Sequence, residues 1–242
     1  MAPSKKDKSS RNHEDHTQKA YNGLRQMMFH NEIVPGQKIA YRDLADRLGM
    51  SLTPVIQALK WMEIQGLVRH EAHRGYHAEP FSLQEVEELH DLREVLECSL
   101  LPKTIERLDD KNIKALYDAF MAHAEASSET YLNERFVKDL EFHIALASLS
   151  GCRVQLQVLR NLLDILCLKY RSNYQSAASF DRGVSEHQAV YEAISDQNLG
   201  RAQKALGHHI RFTKETLIER FTQILEEKKD LGFPDISWEK RT

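Results

Sequence analysis

The sequence predicts a mainly α protein in two parts: three helices and a two-stranded hairpin, followed by an all-helical bundle. Three observations carry this. Residues 16–65 hold three short helical patterns, punctuated by Pro35-Gly36, Gly49 and Gly66. Residues 67–80 then read as two short strands around a turn at His73-Arg74. From Leu83 onward only helical periodicity is found, and no segment shows sustained period-two alternation.

The elements follow in order. Residues 1–15 are polar and mixed in charge and read as a disordered tail. A first helix over 16–30 presents Ala20, Leu24, Met27 and Met28 as its apolar stripe. A short second helix, 42–48, stops at Gly49. Ser51 stands where a helix N-cap belongs and Pro54 falls in the first turn, so a third helix runs to about Gln65. The strands are LVRHEA and GYHAEP. This is the layout of a winged helix-turn-helix over residues 16–80. Pro80-Phe81-Ser82 opens a linker, with the coupling joint expected over 81–89. The all-helical part, 81–228, divides into helices 83–108, 111–127, 129–149, 152–173, 182–197 and 199–228. Pro102 should kink or split the first of these near Leu101. Residues 229–242 read as a loosely held tail.

Bulk properties narrow the function. The 242 residues are 41% hydrophobic and 29% charged, the profile of a soluble globular chain. No apolar run reaches membrane-spanning length, and the N-terminus lacks the apolar core of a secretory signal. Cys98, Cys152 and Cys167 are odd in number and show no paired spacing, which fits free thiols in a cytoplasmic protein. A net charge of −3 argues against a general nucleic-acid coat. The charge is uneven, however: residues 1–80 hold 12 Lys and Arg against 9 Asp and Glu, whereas 81–242 hold 21 against 27. A mildly basic head before an acidic body points to two domains with different partners.

In the third helix, Val55, Ala58, Leu59 and Met62 share a face that should pack on Leu44, Ala45 and Leu48. Ser51, Leu52, Thr53, Ile56, Gln57 and Lys60 are then left near the N-terminus or on the outer face. A recognition helix needs such a stripe to reach base edges, with cations for phosphates. Gln57 suits bidentate pairing with an adenine; Lys60 and Arg42 suit phosphates; Arg74 at the hairpin tip suits the backbone or minor groove. The alternative is a small helical subdomain that binds another protein.

The second part poses a different question. Asp139 and His143 lie one turn apart on a face shared with Phe136 and Ala147, so an acid and an imidazole point inward. On 182–197, Val184, His187, Tyr191 and Ile194 form a stripe. On 199–228, Ala202, Leu206, His209 and Thr213 align, and His208 points elsewhere. Asp139, His143, His187 and His209 could therefore converge in a bundle core and hold a divalent metal. Zinc suits such donors, and nickel, iron or manganese are compatible. For each histidine alone, the plainer reading is a hydrogen-bonded core or surface residue.

A family resemblance adds to both readings. PGQKIAYRDLADRLGMSLTPVIQALKWMEIQGLV and HRGYHAEP resemble the DNA-binding domain of GntR-type bacterial transcription regulators, over about residues 16–80. The resemblance implies a double-stranded DNA operator as partner. It matches Arg42 to the family's helix-two arginine and Gly75 to its wing glycine. The family usually has arginines where this chain has Leu52 and Ile56, which implies a different base preference. The two side chains either make apolar contact with thymine methyls or pack on neighbours within the domain. Residues 83–228 resemble the FCD effector domain of the FadR/FCD branch through D-x-x-FH at 139–143, SG at 150–151, EH at 186–187 and HI at 209–210. That resemblance implies Asp139, His143, His187 and His209 as metal ligands and Arg93 as the clamp for a small organic-acid effector. Glu97 could anchor Arg93 or form a surface salt bridge. After SG the family often has Asn, whereas this chain has Cys152.

The expected protein is thus a homodimeric, effector-responsive transcription regulator with no catalytic residues, no membrane partner and a divalent metal cofactor. Two alternatives stay open on the sequence: a regulator with a metal-independent acyl-chain or acyl-CoA effector, and a metal-dependent hydrolase. No further carboxylate stands out as a general base, which weighs against the hydrolase.

Overall fold

The computed structural model describes residues 5–126, 132–170 and 177–230. The chain divides into two compact units, residues 1–81 and 82–242.

In the first unit, helix α1 (Lys5–Phe29) is followed by strand β1 (Lys38–Ile39), helix α2 (Tyr41–Arg47), helix α3 (Leu52–Ile64), strand β2 (Val68–Glu71) and strand β3 (Gly75–Ala78). Helix α1 begins at Lys5, well before the expected start at His16, so residues 5–15 are helical. No Gly or Pro interrupts that stretch, so a helix nucleated further along can propagate back through it. The apolar stripe of α1 (Ala20, Leu24, Met27, Met28) is buried with Val55, Ala58, Leu59 and Met62 of α3 and Leu44 and Ala45 of α2. Gly66 ends α3 with φ +73, while Leu67 N–H reaches back to Met62 O at 2.9 Å and Gly66 N–H to Glu63 O at 3.0 Å. That pair of bonds is a helix stop that needs a left-handed residue, which glycine adopts without steric cost. The expected two-stranded wing gains a third strand. The order is β1-β3-β2, all antiparallel, with Ile39 opposite Tyr76 and Val68 opposite Ala78. Lys38-Ile39 is too short to show any alternation in the sequence, so only pairing with β3 reveals it.

The second unit holds α4 (Leu83–Glu106), α5 (Asp110–Glu125), α6 (Leu132–Leu149), α7 (Arg153–Ile165), a π-helical turn at Leu166–Tyr170, α8 (Ala177–Ser195) and α9 (Leu199–Asp230). Ser82 caps α4 by accepting from Glu85 N–H at 3.2 Å, so the linker shrinks to the few residues before it. Pro102 lies inside α4 without breaking it, contrary to the expected split. Leu100, Leu101 and Thr104 around it are fully buried, and that packing outweighs the local cost of proline. Helix α4 packs on α9, α6 and α7; α8 packs on α9 and α5. Leu101, Leu116, Phe120, Phe142, Val190, Leu206 and Ile210 belong to one core cluster. The helix expected over 152–173 is shorter: α7 gives way to the π turn, and residues 171–173 lie outside the described residues, as do 1–4, 127–131 and 231–242. Among the described residues, no helix is long and apolar enough to cross a membrane.

Candidate metal centre and DNA-reading face

Three helices of the second unit deliver the acid and the imidazoles. Helix α6 supplies Asp139 and His143, α8 supplies His187, and α9 supplies His209. Their apolar neighbours on the same stripes, Phe136, Ala147, Ile194, Ala202 and Leu206, are buried, which turns the histidines inward too. His143, His187 and His209 are buried, whereas His208 is exposed, as the one-residue step requires.

The Nε2 atoms of His143, His187 and His209 lie 3.2 Å from one another in all three pairings. Asp139 Oδ1 lies 3.3 Å from His187 Nε2 and 3.9 Å from His209 Nε2. One ligand atom from each of the four residues falls within 4.8 Å of the others. The outer nitrogens have their own partners. His143 Nδ1 is 2.6 Å from Glu97 Oε2, and His209 Nδ1 is 2.9 Å from Glu186 Oε2. His187 Nδ1 is 3.1 Å from His123 Nδ1. Phe142 stacks on the His187 ring with centroids 4.3 Å apart and fixes its plane.

These contacts decide which nitrogens carry protons. A carboxylate only accepts, so the Nδ1 of His143 and of His209 must be the N–H. Burial holds the imidazoles of His143 and His187 below the ordinary histidine range, so both are neutral at pH 7. A neutral imidazole has one N–H, and His143 Nε2 is therefore a bare lone pair. His209 Nδ1 faces Glu186 in the same way, which leaves its Nε2 turned to the cluster. The His143 lone pair, with two more ring nitrogens 3.2 Å away, is a donor set that a cation would draw together. The size also fits. Each nitrogen of the triangle sits about 1.8 Å from its centre, just inside a metal–nitrogen bond of roughly 2.0–2.1 Å. Burial alone would raise the Asp139 carboxyl, but the surrounding imidazoles outweigh it and hold it below its usual range, in the charged form a cation attracts.

Arg93 on α4 is buried, and its Nε donates to Glu97 Oε1 at 2.7 Å. Glu97 thus joins Arg93 to His143 inside the core. Burial pushes its carboxyl up, but the His143 imidazole and the Arg93 guanidinium outweigh burial and bring it down to about 2. Glu186 on α8 also accepts from Arg182 Nε at 2.9 Å, and the Arg182 guanidinium sits 3.6 Å over the Phe212 ring.

On the first unit, Arg42, Ser51, Leu52, Thr53, Lys60 and Arg74 are exposed, and Ile56, Gln57 and Gly75 are half-buried. Leu52 remains 40% exposed, so it does not pack into its own domain. Ser51 occupies the N-cap position of α3 but makes no side-chain cap bond, a departure from the expected cap. Arg74 at the wing tip pairs loosely with Glu71 at 3.5 Å. The outer face of α3 therefore offers an amide, a cation and two apolar side chains, which is what major-groove reading uses.

A model of the FCD domain matches residues 88–212, just over half the chain, and a model of the gntR family of bacterial regulatory proteins matches residues 16–77. The chain belongs to the GntR family, in its FCD branch. It is a DNA-binding transcription regulator and not an enzyme, which removes the hydrolase reading. YdhC of Bacillus subtilis (strain 168), named an uncharacterized HTH-type transcriptional regulator, is 23% identical over 87% of this chain and 92% of its own length. The Nta operon transcriptional regulator of Aminobacter aminovorans is 27% identical over 79% and 86%. Among solved structures, McbR/YncC of E. coli superposes with a TM-score of 0.74 at 16% identity, covering 85% of this chain and 98% of that one.

Within this GntR regulator, the sequence missed three partners of the imidazoles. Glu97 is buried and not a surface pair, because α4 brings it to α6 across 46 positions. Glu186 was visible only as part of an EH pair, with no role. His123 belongs to no motif, and its one sequence signal is the stripe Leu116, Phe120, His123 that marks the buried side of α5. Cys152, in place of the family's Asn, sits at the N-cap of α7, and its backbone N–H is taken by Ser150 Oγ at 3.1 Å.

Proposed function

We propose that this GntR regulator holds a divalent metal in its FCD domain and binds a small carboxylate effector beside it, and that effector binding modulates operator binding. One observation carries the reading: three inward Nε2 atoms at mutual distances of 3.2 Å, with a carboxylate behind two of the rings. Asp139, His143, His187 and His209 would hold the metal, with zinc first and nickel, iron or manganese compatible. When bound, the metal supplies a Lewis-acidic attachment point for a carboxylate.

The chain's own residues do the rest. Glu97 fixes both the His143 tautomer and the orientation of the Arg93 guanidinium. Arg93 then gives the effector carboxylate a planar, charge-assisted partner. Arg93 and Glu97 lie on α4, whose first turn follows the linker from the head. That first turn is itself held: Glu85 contacts both Lys169 Nζ and Tyr170 OH of the π turn. Effector binding is therefore felt on the element that leads to the DNA-reading head. It changes operator affinity only by favouring one of two states of the regulator.

A near-palindromic operator calls for two heads, so the working form is a homodimer in the cytoplasm. Leu92 and Val95 of α4 and Val154 and Val158 of α7 are exposed apolar residues, and Gln155 Nε2 donates to Ser99 Oγ at 3.3 Å between the two helices. This row suits a second copy.

The test uses protein purified without a histidine tag. Metal analysis should find a divalent ion. A thermal-shift screen of organic acids should then find a ligand whose stabilisation disappears with chelator. A site that is empty as purified and ignores added zinc ends the proposal.

A further inference from the structure

His187 differs from the other two histidines of the cluster. His143 and His209 are backed by carboxylates, but His187 Nδ1 faces another imidazole, His123 Nδ1, at 3.1 Å. His123 comes from α5, a helix that supplies none of the four cluster residues, and it is buried. The two rings meet edge to face at a centroid distance of 4.5 Å. From this geometry, and resting on the metal reading of the site, we infer that His123 is the positioning residue that sets the tautomer of His187.

Only one proton fits between two nitrogens at that distance, and its ownership decides the chemistry. If His123 Nδ1 carries it, neutral His187 must keep its own proton on Nε2. That N–H then points at Asp139 Oδ1, 3.3 Å away, and at the other imidazoles. In this arrangement His187 is a donor and closed to a cation. If His187 Nδ1 carries the proton, His187 Nε2 is a lone pair and the triangle is complete. His123 must then hold its single proton on Nε2. Moving between the two arrangements leaves each ring with one proton. The His123 Nδ1 proton passes to His187 Nδ1, the His187 Nε2 proton leaves to water, and water returns one to His123 Nε2. His123 therefore accepts a hydrogen bond in the metal-holding arrangement, as the carboxylates do for the other two rings. It does so as a neutral group, so His187 is the least polarised of the three.

The experiment compares full-length wild type, His123→Leu and His123→Asn. Asn presents an acceptor oxygen near the place of Nδ1; Leu presents none. Zinc affinity is read by competition with a chelator. The Leu variant should bind zinc roughly tenfold to a hundredfold more weakly, and the Asn variant should recover most of the loss. Two-bond proton–nitrogen NMR of zinc-loaded wild type should place the His123 proton on Nε2, with the signal assigned by its absence in the Asn variant. A proton on His123 Nδ1 in the zinc-loaded wild type overturns the inference whether or not the Leu variant folds. So does a Leu variant that binds zinc as tightly as wild type, or an Asn variant as weak as Leu. Wild type that takes no zinc at all sinks the metal reading itself, and this inference with it.

Discussion

Glu97 on α4 accepts from two buried donors at once: Arg93 Nε at 2.7 Å through one carboxylate oxygen and His143 Nδ1 at 2.6 Å through the other. One side chain therefore orients a cation and fixes the proton position of an imidazole 46 residues away in sequence. Replacing it by glutamine separates those roles. The amide would keep an oxygen for Arg93 and turn its NH2 toward His143. His143 Nδ1 must then accept, and its proton moves to Nε2, into the cluster. Glu97→Gln should weaken zinc binding by at least the roughly tenfold to hundredfold typical of lost ligand partners, measured by chelator competition. Glu97→Ala should also destabilise the metal-free fold by about 3–5 kcal/mol, because it leaves the Arg93 charge buried without its carboxylate. Wild-type zinc affinity in Glu97→Gln would falsify the tautomer account.

The metal-free protein should lose stability as pH falls through the weakly acidic range. His90 is fully buried, with Nδ1 2.8 Å from Val86 O. Burial first, and the nearby Arg93 charge second, bring its imidazole down from 6.5 to about 4. The unfolded chain takes up a proton below pH 6.5 that the folded chain refuses until about pH 4. Stability is thus full above that window and declines as pH falls across it. The His90 share of the loss is on the order of 3 kcal/mol. Urea titrations at pH 7 and pH 5 in chelator should show the loss, and His90→Leu should flatten it. An identical pH slope in the variant rules this source out.

On the DNA side, Gln57 and the cations should separate by selectivity. Gln57→Ala should cost about 1–3 kcal/mol on the native operator and relax discrimination at one base pair. Lys60→Ala and Arg42→Ala should weaken all sequences alike and lower the salt slope by about one each. Leu52→Arg, which restores the usual family residue at an exposed position, should change the preferred base. Binding titrations on operator variants at several salt concentrations check these. Unchanged selectivity in Gln57→Ala removes Gln57 from the reading set.

The exposed apolar row on α4 and α7 should carry dimerisation. Val95 is 69% exposed and Val154 is 79% exposed, so a charge at either position costs little in an isolated chain. Val95→Glu or Val154→Glu should shift the protein toward monomer in light scattering and weaken operator binding, while its melting in dilute solution changes little. A variant that stays dimeric places the interface elsewhere.

Much of this molecule is local in origin. The 3.6-residue stripes place His143, His187 and His209 on inward faces independently of how the helices pack, since a helical face depends only on spacing. The stops at Gly49 and Gly66 are readable for the same reason, because a left-handed residue after a helix is a property of the backbone there. The short strand β1 is not readable, as two residues carry no period. The continuity of α4 through Pro102 is not readable either, as it rests on burial of Leu100, Leu101 and Thr104 among other helices.

By itself, the sequence determined the two-part helical layout, the outward face of α3 and the inward turn of one acid and three imidazoles. Tertiary structure alone decided who stands behind each ring: Glu97 behind His143, Glu186 behind His209 and His123 behind His187. A face follows from residues a turn apart on one helix. A partner follows from how separate helices cross, and proton placement in the cluster depends on those partners.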